Sequence, residues 1–414
     1  MKVLAVGGGS GGHVTPTVAV INALRERDPQ VEVRMWCDTS FERQTRTIVA
    51  QNSQGQIPVS TIVAGKLRRY HHLTLLQHVL IPSVLFPNIL DGFKVIIGTI
   101  QAFCKLIAWR PDVIFTKGGF VCLPVGWAAR PLHIPVVIHD SDAHPGLTNR
   151  LLAPHAAAIA TGAPLKYYNY PAHKSTYVGI PIGAEFTPYS PAQQRAAKKA
   201  QGFDPNLPLG VVTGGGLGAK RINDATAHEL ATLTKHASVL LISGALQYDS
   251  LRAQIGQDTE RFQLRSFVSS GMAPVFGAAD IVVARAGATS ILELAAMALP
   301  TILVPNGRLT GGHQLKNAKV YEDAQAAMVI DEVAFEKQPK LYSQAITSLL
   351  ANPAQRKQFS RNIKAFARPQ AARDVADIIL AIYKKRKTSS AICPVCRCFA
   401  KNQPQTQPVC HAAG

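Results

Sequence analysis

The sequence predicts an α/β protein built from two doubly wound, Rossmann-like units with parallel sheets that face a cleft. Short β-branched runs alternate with stretches long enough for crossover helices, these runs fall into two series, and the two series open almost identically. At 414 residues and 47% hydrophobic content, the chain has length for two or three domains and apolar mass for their cores. A disordered chain and a disulfide-stapled miniprotein are thereby excluded.

The first series reads as buried strands at Val3 to Val6, Val31 to Met35, Val113 to Phe115, Val136 to Ile138 and Ala157 to Ala160. The second reads Gly210 to Thr213, Val239 to Ile242, Phe262 to Arg265, Ile281 to Ala284 and Thr301 to Val304. KVLAVGGGSGGH begins one and LGVVTGGGLGAKR the other, each an apolar strand running into three glycines, a variable residue and another glycine. Prolines from Pro181 to Pro208 surround a polar stretch, Gln193 to Gln201, that reads as a linker and places a boundary near residue 180. Ala334 to Leu350, Pro353 to Phe366 and Ala371 to Lys387 read as terminal helices. The expected organisation is therefore 1–180, 181–387 with those helices, and a Cys-containing disordered tail over 388–414.

Lys plus Arg number 44 against 25 Asp plus Glu, a formal charge of +19 that favours an anionic partner: nucleic acid, an acidic lipid surface or a phosphorylated substrate. No stretch interleaves aromatics with Lys and Arg as a base-stacking platform does, so no nucleic-acid partner is expected. Cys37, Cys104 and Cys122 are scattered like core residues of a reducing compartment, and the apolar run at the N-terminus is too short for a secretory signal. A cytoplasmic body is the expectation. Leu73 to Leu90 is apolar and free of formal charge, but Pro82 and Pro87 interrupt it; Lys66, Arg68 and Arg69 precede it, and Lys94, Lys105 and Arg110 follow. This reads as a broken apolar helix pair ringed by basic residues, suited to an anionic leaflet.

A glycine turn between strand and helix lets backbone N–H groups approach a phosphate, and the helix N-terminus adds positive partial charge. Gly7-x-Gly9-x-x-Gly12 with Asp38 after the second strand matches a dinucleotide fingerprint, yet a nucleotide oxidoreductase does not account for His13 directly after the glycines or for the repeated loop at Thr213 to Lys220. Thr116 to Phe120 and His139 to Asp142 follow the next strands, and strand ends converge on the cleft in open parallel sheets, which makes His13 a candidate general base. Asp140-x-Asp142 offers two hard carboxylates to a divalent metal, a role that is possible but not expected. In the second series Ala284 to Ser290 leads into a helix carrying Glu293, a carboxylate suited to ribose hydroxyls; Thr289 or Ser290 as simple helix caps is the alternative.

Six ordered segments, GGGSGGHVTP, KGGFVCLPVGWAA, IPVVIHDSDAHPGLTNRLLA, TGGGLGAKRIN, ADIVVARAGATSILELAAMALPTILVP and HQLKNA, make residues 1 to 385 resemble the MurG family, UDP-N-acetylglucosamine transferases that complete lipid II on the cytoplasmic membrane face. The resemblance implies a GT-B architecture, a peripheral membrane protein, a lipid I acceptor in the first domain and the sugar nucleotide mainly in the second. It assigns Ser10, Gly11 and Gly12 to the donor pyrophosphate region, His13 and Asp140 to catalysis, and Gly118, Gly119, Phe120 and Asn149 to the acceptor side. Asp142, Gly215, Gly216 and Gly218, the stretch Ala288, Thr289, Ser290, Ile291, Leu292 and Glu293, and Gln314 fall on the donor, with the Val268 backbone on uracil. No cofactor is implied.

The chain also departs from that pattern. Relatives read HEQN where this chain reads HDSD, so Asp140 replaces Glu and Asp142 replaces Asn; Gly216 and Leu217 stand for Ser and Gln, Gly183 for Arg, Phe120 for Tyr and His313 for Gln. The implied reaction is an inverting displacement with His13 taking the hydroxyl proton and Asp140 assisting. The alternatives are a GT-B enzyme acting on another substrate and a silent membrane scaffold. Lys220 reads as an exposed helix lysine, and Cys393, Cys396, Cys398 and Cys410-His411 hold enough soft ligands for zinc without a paired knuckle.

Overall fold

The structure is a computed structural model that describes residues 1–66, 81–142, 145–215, 218–268, 271–307 and 312–391. The expected tail cysteines, the segment from Leu73 to Leu80, Arg68, Arg69, Gly216 and Leu217 lie outside the described residues.

The first sheet contains β1 (Lys2–Val6), β2 (Glu32–Asp38), β3 (Val59–Ile62), β4 (Val113–Thr116), β5 (Val136–Asp140), β6 (Ala158–Thr161) and β7 (Ser175–Tyr177), ordered β3-β2-β1-β4-β5-β6-β7. The second contains β8 (Leu209–Thr213), β9 (Ser238–Ile242), β10 (Phe262–Arg265), β11 (Ile281–Ala284), β12 (Thr301–Leu303) and β13 (Met328–Val329), ordered β10-β9-β8-β11-β12-β13. Every pairing between these strands is parallel. Strand order reverses between β1 and β4 and again between β8 and β11, so each sheet opens a crevice where its glycine loop leaves. The central strands are buried on both faces, which is why they read as unbroken apolar runs. Sequence reading did not foresee β3, β7 and β13. All three are sheet edges: β7 and β13 carry no buried residue, and β3 is four residues long with only Val59 and Ile62 buried around Ser60 and Thr61.

The helices of the first half are α1 (Gly11–Arg27), α2 (Glu42–Asn52), α3 (Pro82–Trp109), α4 (Cys122–Ala129) and α5 (Leu147–Leu152). Those of the second are α6 (Pro191–Ala200), α7 (Lys220–His236), α8 (Tyr248–Ile255), α9 (Ala273–Ala278), α10 (Ala288–Ala296), α11 (His313–Asp323), α12 (Glu332–Lys337), α13 (Lys340–Ala351), α14 (Pro353–Lys364) and α15 (Ala371–Ala391).

Two expectations about organisation need correction. The polar stretch from Gln193 to Gln201 is no linker: Ser190 and Gln193 form a reciprocal capping box, Ala197 is buried, and Lys198 pairs with Asp280 at 2.7 Å, so α6 is the first helix of the second unit. The terminal helix α15 belongs physically with the first unit. Val375, Ala376 and Ile379 join the core of Val14, Val18 and Ile21, and Arg27 forms a fork with the Asp377 carboxylate at 3.0 and 3.1 Å. The chain itself passes from one core to the other between Val178 and Ile180.

From Pro82 onward the expected broken pair is one helix. Pro82 sits in the first turn, where a missing N–H costs nothing, and the helix runs on past Pro87 to Trp109. Val95, Ala102 and Leu106 bury one side of α3, while Phe86, Leu90, Phe93, Ile96, Ile97 and Ile100 are each more than half exposed on the other. Gly65 and Gly98 allow this packing, since a β-carbon on Gly98 would lie 1.8 Å from the Val63 carbonyl oxygen. Lys105 does not face outward with Lys66 and Lys94: its Nζ donates to the Thr61 carbonyl at 2.9 Å and lies over the Trp36 ring.

Candidate active site

The first glycine loop joins β1 to α1, and His13 is the third residue of that helix. Its ring lies against the Gly118–Gly119 main chain: β-carbons there would meet His13 Cε1 at 3.5 Å and Cδ2 at 3.3 Å. Both glycines have φ values, +100° and +88°, that L side chains rarely adopt, so the loop after β4 is shaped to seat the imidazole. Phe120 covers Gly9 from the same loop. Burial, then the neighbouring Lys117 ammonium, lower the His13 pKa to about 4. The imidazole is neutral at neutral pH and free to take a proton.

Lys117 follows β4 and is buried, its Nζ donating to the Ser141 hydroxyl. Burial lowers its pKa to about 8 against the opposing pull of Asp142 and Asp140. Asp140 ends β5 fully enclosed and accepts from the Tyr170 hydroxyl at 2.7 Å; burial raises its pKa to about 7. Asp142 turns the other way, and Asn317 of α11 donates to it from the second domain at 3.1 Å. The two carboxylates of the Asp140-x-Asp142 pair therefore diverge. Among the described residues no group of three or more His, Cys, Asp and Glu is arranged to hold a metal. Asn149 is buried beside the His139 carbonyl, and His139 itself is locked to the Gly179 carbonyl at 2.7 Å.

Across the cleft, Gly215 and Gly218 take left-handed φ values of +78° and +74° between β8 and α7. A β-carbon on Gly218 would lie 2.1 Å from the Ser243 carbonyl, whereas one on Gly215 would meet open space. The α10 N-terminus carries no side-chain cap, and Thr289 reaches over the cleft instead, its hydroxyl 3.5 Å from the Gly12 carbonyl. Ala288, Thr289 and Ser290 thus present an open helix end. Ile291 and Leu292 do not: both side chains are in the core, and the Ile291 N–H is bonded to Gly287. Glu332 is buried between Arg221 at 2.7 Å and Arg285 at 2.6 Å, which ties the start of α7 to the exit of β11 and fixes both phosphate-type loops.

Glu293 lies one turn into α10. Burial, and after it Glu185, raise its pKa to about 8. The Glu185 carboxylate fills the space beside Gly183. The Gln314 side chain accepts from the Asn306 N–H at 2.9 Å, leaving its amide NH₂ for a ligand, and Val268 lies just past β10 at the same end of the sheet. Lys220 pairs with Asp224 on the α7 surface. Replacing Glu293 with alanine is expected to weaken UDP binding about three- to tenfold, the worth of one hydrogen bond, with little change in kcat. Calorimetric titration with UDP checks this; unchanged affinity would remove Glu293 from the ribose.

The structure brings Ser10, Gly11, Gly12, His13, Gly118, Gly119, Asp142 and Thr289 to one cleft. It sets Asp140 and Asn149 behind it, in contact with Tyr170 and the His139 main chain. Sequence reading missed Lys117, Tyr170, Asn317 and the Arg221–Glu332–Arg285 clamp. Lys117 had a signal, a charge ending a buried strand; the others come from distant segments with none.

The glycosyltransferase family 28 N-terminal domain matches residues 3–161, and the C-terminal domain of the same family matches residues 210–375. A UDP-N-acetylglucosamine–N-acetylmuramyl-(pentapeptide) pyrophosphoryl-undecaprenol N-acetylglucosamine transferase of Lachnoclostridium phytofermentans is 33% identical over 353 residues, 85% of this chain and 91% of that one. Its counterpart in Halalkalibacterium halodurans is 30% identical over 388 residues, 93% of this chain and 100% of that one. Acinetobacter baumannii MurG superposes with a TM-score of 0.67 at 24% identity, covering 92% of this chain and 99% of that structure. With both domains matched and full-length relatives at this identity, the chain belongs to glycosyltransferase family 28 and, within its GT-B enzymes, to the MurG family.

Proposed function

We propose that the enzyme transfers N-acetylglucosamine from UDP-N-acetylglucosamine to lipid I, undecaprenyl-pyrophosphoryl-N-acetylmuramoyl peptide, giving lipid II for peptidoglycan with inversion at the anomeric carbon. The observation that carries this reading is the apposition across the cleft: a neutral imidazole seated on one domain faces an uncapped helix end and a glycine loop on the other. The acceptor hydroxyl oxygen attacks the anomeric carbon, the bond to the diphosphate oxygen breaks, and UDP departs with the electron pair. The hydroxyl proton passes to His13. Asp142, and after it Asp38, are the acidic groups that bear on His13, and Asp140, held by Tyr170, supports the loop from behind.

Negative charge develops on the departing diphosphate. The main-chain amides of Gly215 and Gly218 and the N-termini of α7 and α10 stabilise it, so we read no divalent metal into the step. Activity is expected to survive excess EDTA; loss restored by magnesium would overturn that part. The overall reaction is tested with labelled UDP-N-acetylglucosamine and a lipid I analogue, with UDP-glucose and UDP-galactose as competing donors and the product followed by mass. Transfer of N-acetylglucosamine is expected, whereas a C2-epimerised nucleotide or no product beside an active control enzyme would sink the assignment.

We place the enzyme as a peripheral protein on the cytoplasmic face of the plasma membrane, bound to anionic inner-leaflet lipid through residues 66–110. One side of α3 is sealed into the protein core, so the helix lies on a bilayer instead of crossing it, with its exposed Phe and Ile stripe in the acyl boundary and Lys66 and Lys94 near phosphates. Two charges placed in that stripe, Phe93→Glu with Ile97→Glu, should cut partitioning onto phosphatidylglycerol vesicles at least tenfold, since each apolar side chain contributes roughly 1.5–3 kcal/mol. UDP binding should not change. Equal flotation of variant and wild type would argue for attachment elsewhere.

A further inference from the structure

At the edge of the first sheet remote from the cleft, where β5 and β6 begin, a cavity of about 530 Å³ opens between the end of α4, α5 and α15. Ile134, Leu152 and Ile382 give it an apolar floor. Arg130, His133, His155, Lys385 and Arg386 line it from three separate chain segments, and among the described residues no acidic one does.

Such convergence of basic groups is unfavourable unless something offsets it. Among the described residues no carboxylate pairs with any of the five. The side chains of Arg130, His133, His155 and Lys385 make no ion pair or hydrogen bond among the described residues. Among the described residues Arg386 donates to the Asp112 main-chain carbonyl at 2.6 Å and forms no ion pair, and the Asp112 carboxylate accepts from the Lys2 main-chain N–H at 2.8 Å. Residues 388–414 contain no Asp or Glu, so the tail supplies no acidic side chain either.

The backbone gives an independent sign. His133 has φ +53°, the left-handed conformation that glycine adopts at helix ends, and it closes α4 through His133 N–H to Arg130 at 3.1 Å and Ile134 N–H to Ala129 at 3.1 Å. A β-carbon is a liability there. An imidazole at this position costs stability, and its side chain lines the basic cavity.

We propose that this cavity is a second anion site, binding a phosphate-type group whose apolar remainder lies on Ile134, Leu152 and Ile382. Acidic lipid headgroups and soluble phosphorylated molecules share that chemistry. The site is separate from the sugar-nucleotide cleft, being at the opposite ends of the strands.

The full-length protein is titrated with inorganic pyrophosphate by calorimetry in saturating UDP, which occupies the glycine loops of the cleft. Wild type should show saturable binding, and Arg130→Glu with Lys385→Glu should weaken it at least tenfold while leaving UDP affinity intact. His133→Gly is the second variant: its unfolding midpoint should rise by about 2 °C as the strained position is relieved, while pyrophosphate binds several-fold more weakly. Flotation with phosphatidylglycerol and phosphatidylcholine vesicles separates the sources. Loss of the phosphatidylglycerol preference in the charge-reversal variant identifies a headgroup, and an unchanged preference with weakened pyrophosphate binding identifies a soluble ligand. No pyrophosphate binding in the presence of UDP, or equal binding by wild type and both variants, overturns the proposal.

Discussion

His13→Ala is expected to lower the transfer rate by about 10²- to 10⁴-fold at neutral pH, the range that a positioned general base contributes, with UDP affinity within a factor of two of wild type. The two readouts separate because the His13 side chain stands on α1, whereas the candidate nucleotide contacts other than Ser10, Gly11 and Gly12 stand on the second domain, most of them at α7, α10 and α11. The low pKa of about 4 has a further consequence. Burial and Lys117 depress it, so the base stays deprotonated well below neutrality, and the acid limb of kcat/KM from this group should lie near 4 in the free enzyme. A limb near 7 would instead report Asp140, whose carboxyl burial raises to about that value. Retention of more than a tenth of the activity in His13→Ala, with product identity checked by mass, would transfer the role of base to a carboxylate.

Much of this cleft is legible in the sequence because parallel α/β folds place function at strand ends. The segments KVLAVGGG and LGVVTGGG announce both a buried strand and the turn that follows, so Gly12, His13, Gly215 and Gly218 could be assigned to the cleft from local pattern alone. Where side chains meet through tertiary packing, local pattern is silent. Tyr170 follows an ordinary Tyr-Asn pair in an irregular stretch, yet it holds Asp140; Asn317 reads as one polar residue on a helix, yet it bridges the domains to Asp142. The edge strands and α6 failed for a different reason. A polar helix start with a capping box and a polar linker share the same composition, and only the burial of Ala197 and Lys198 against the second core separates them. The last helix shows the same limit at larger scale, because a chain position in the second unit does not forbid packing on the first.

Lys117→Met is expected to lower kcat/KM by about 10- to 100-fold at neutral pH and to shift its acid limb upward. In the wild type the buried ammonium donates to Ser141 between Asp140 and Asp142 and stands beside His13. Its charge lowers the pKa of both His13 and Asp140, so its removal must raise both, whichever of the two is the base. Methionine keeps most of the side-chain volume, and what is lost is the charge and the hydrogen bond. The groups facing this lysine also include His139 and the Cys122 thiol, the latter pushed up to about 12 by burial and therefore still protonated over the working range. Because Lys117 itself loses its proton near 8, wild type and variant should converge above that pH, where neither carries the charge. A purely structural role predicts a constant deficit at every pH. Profiles of kcat/KM against pH for the two proteins distinguish these cases, and parallel curves with no convergence on the alkaline side would reduce Lys117 to a packing residue.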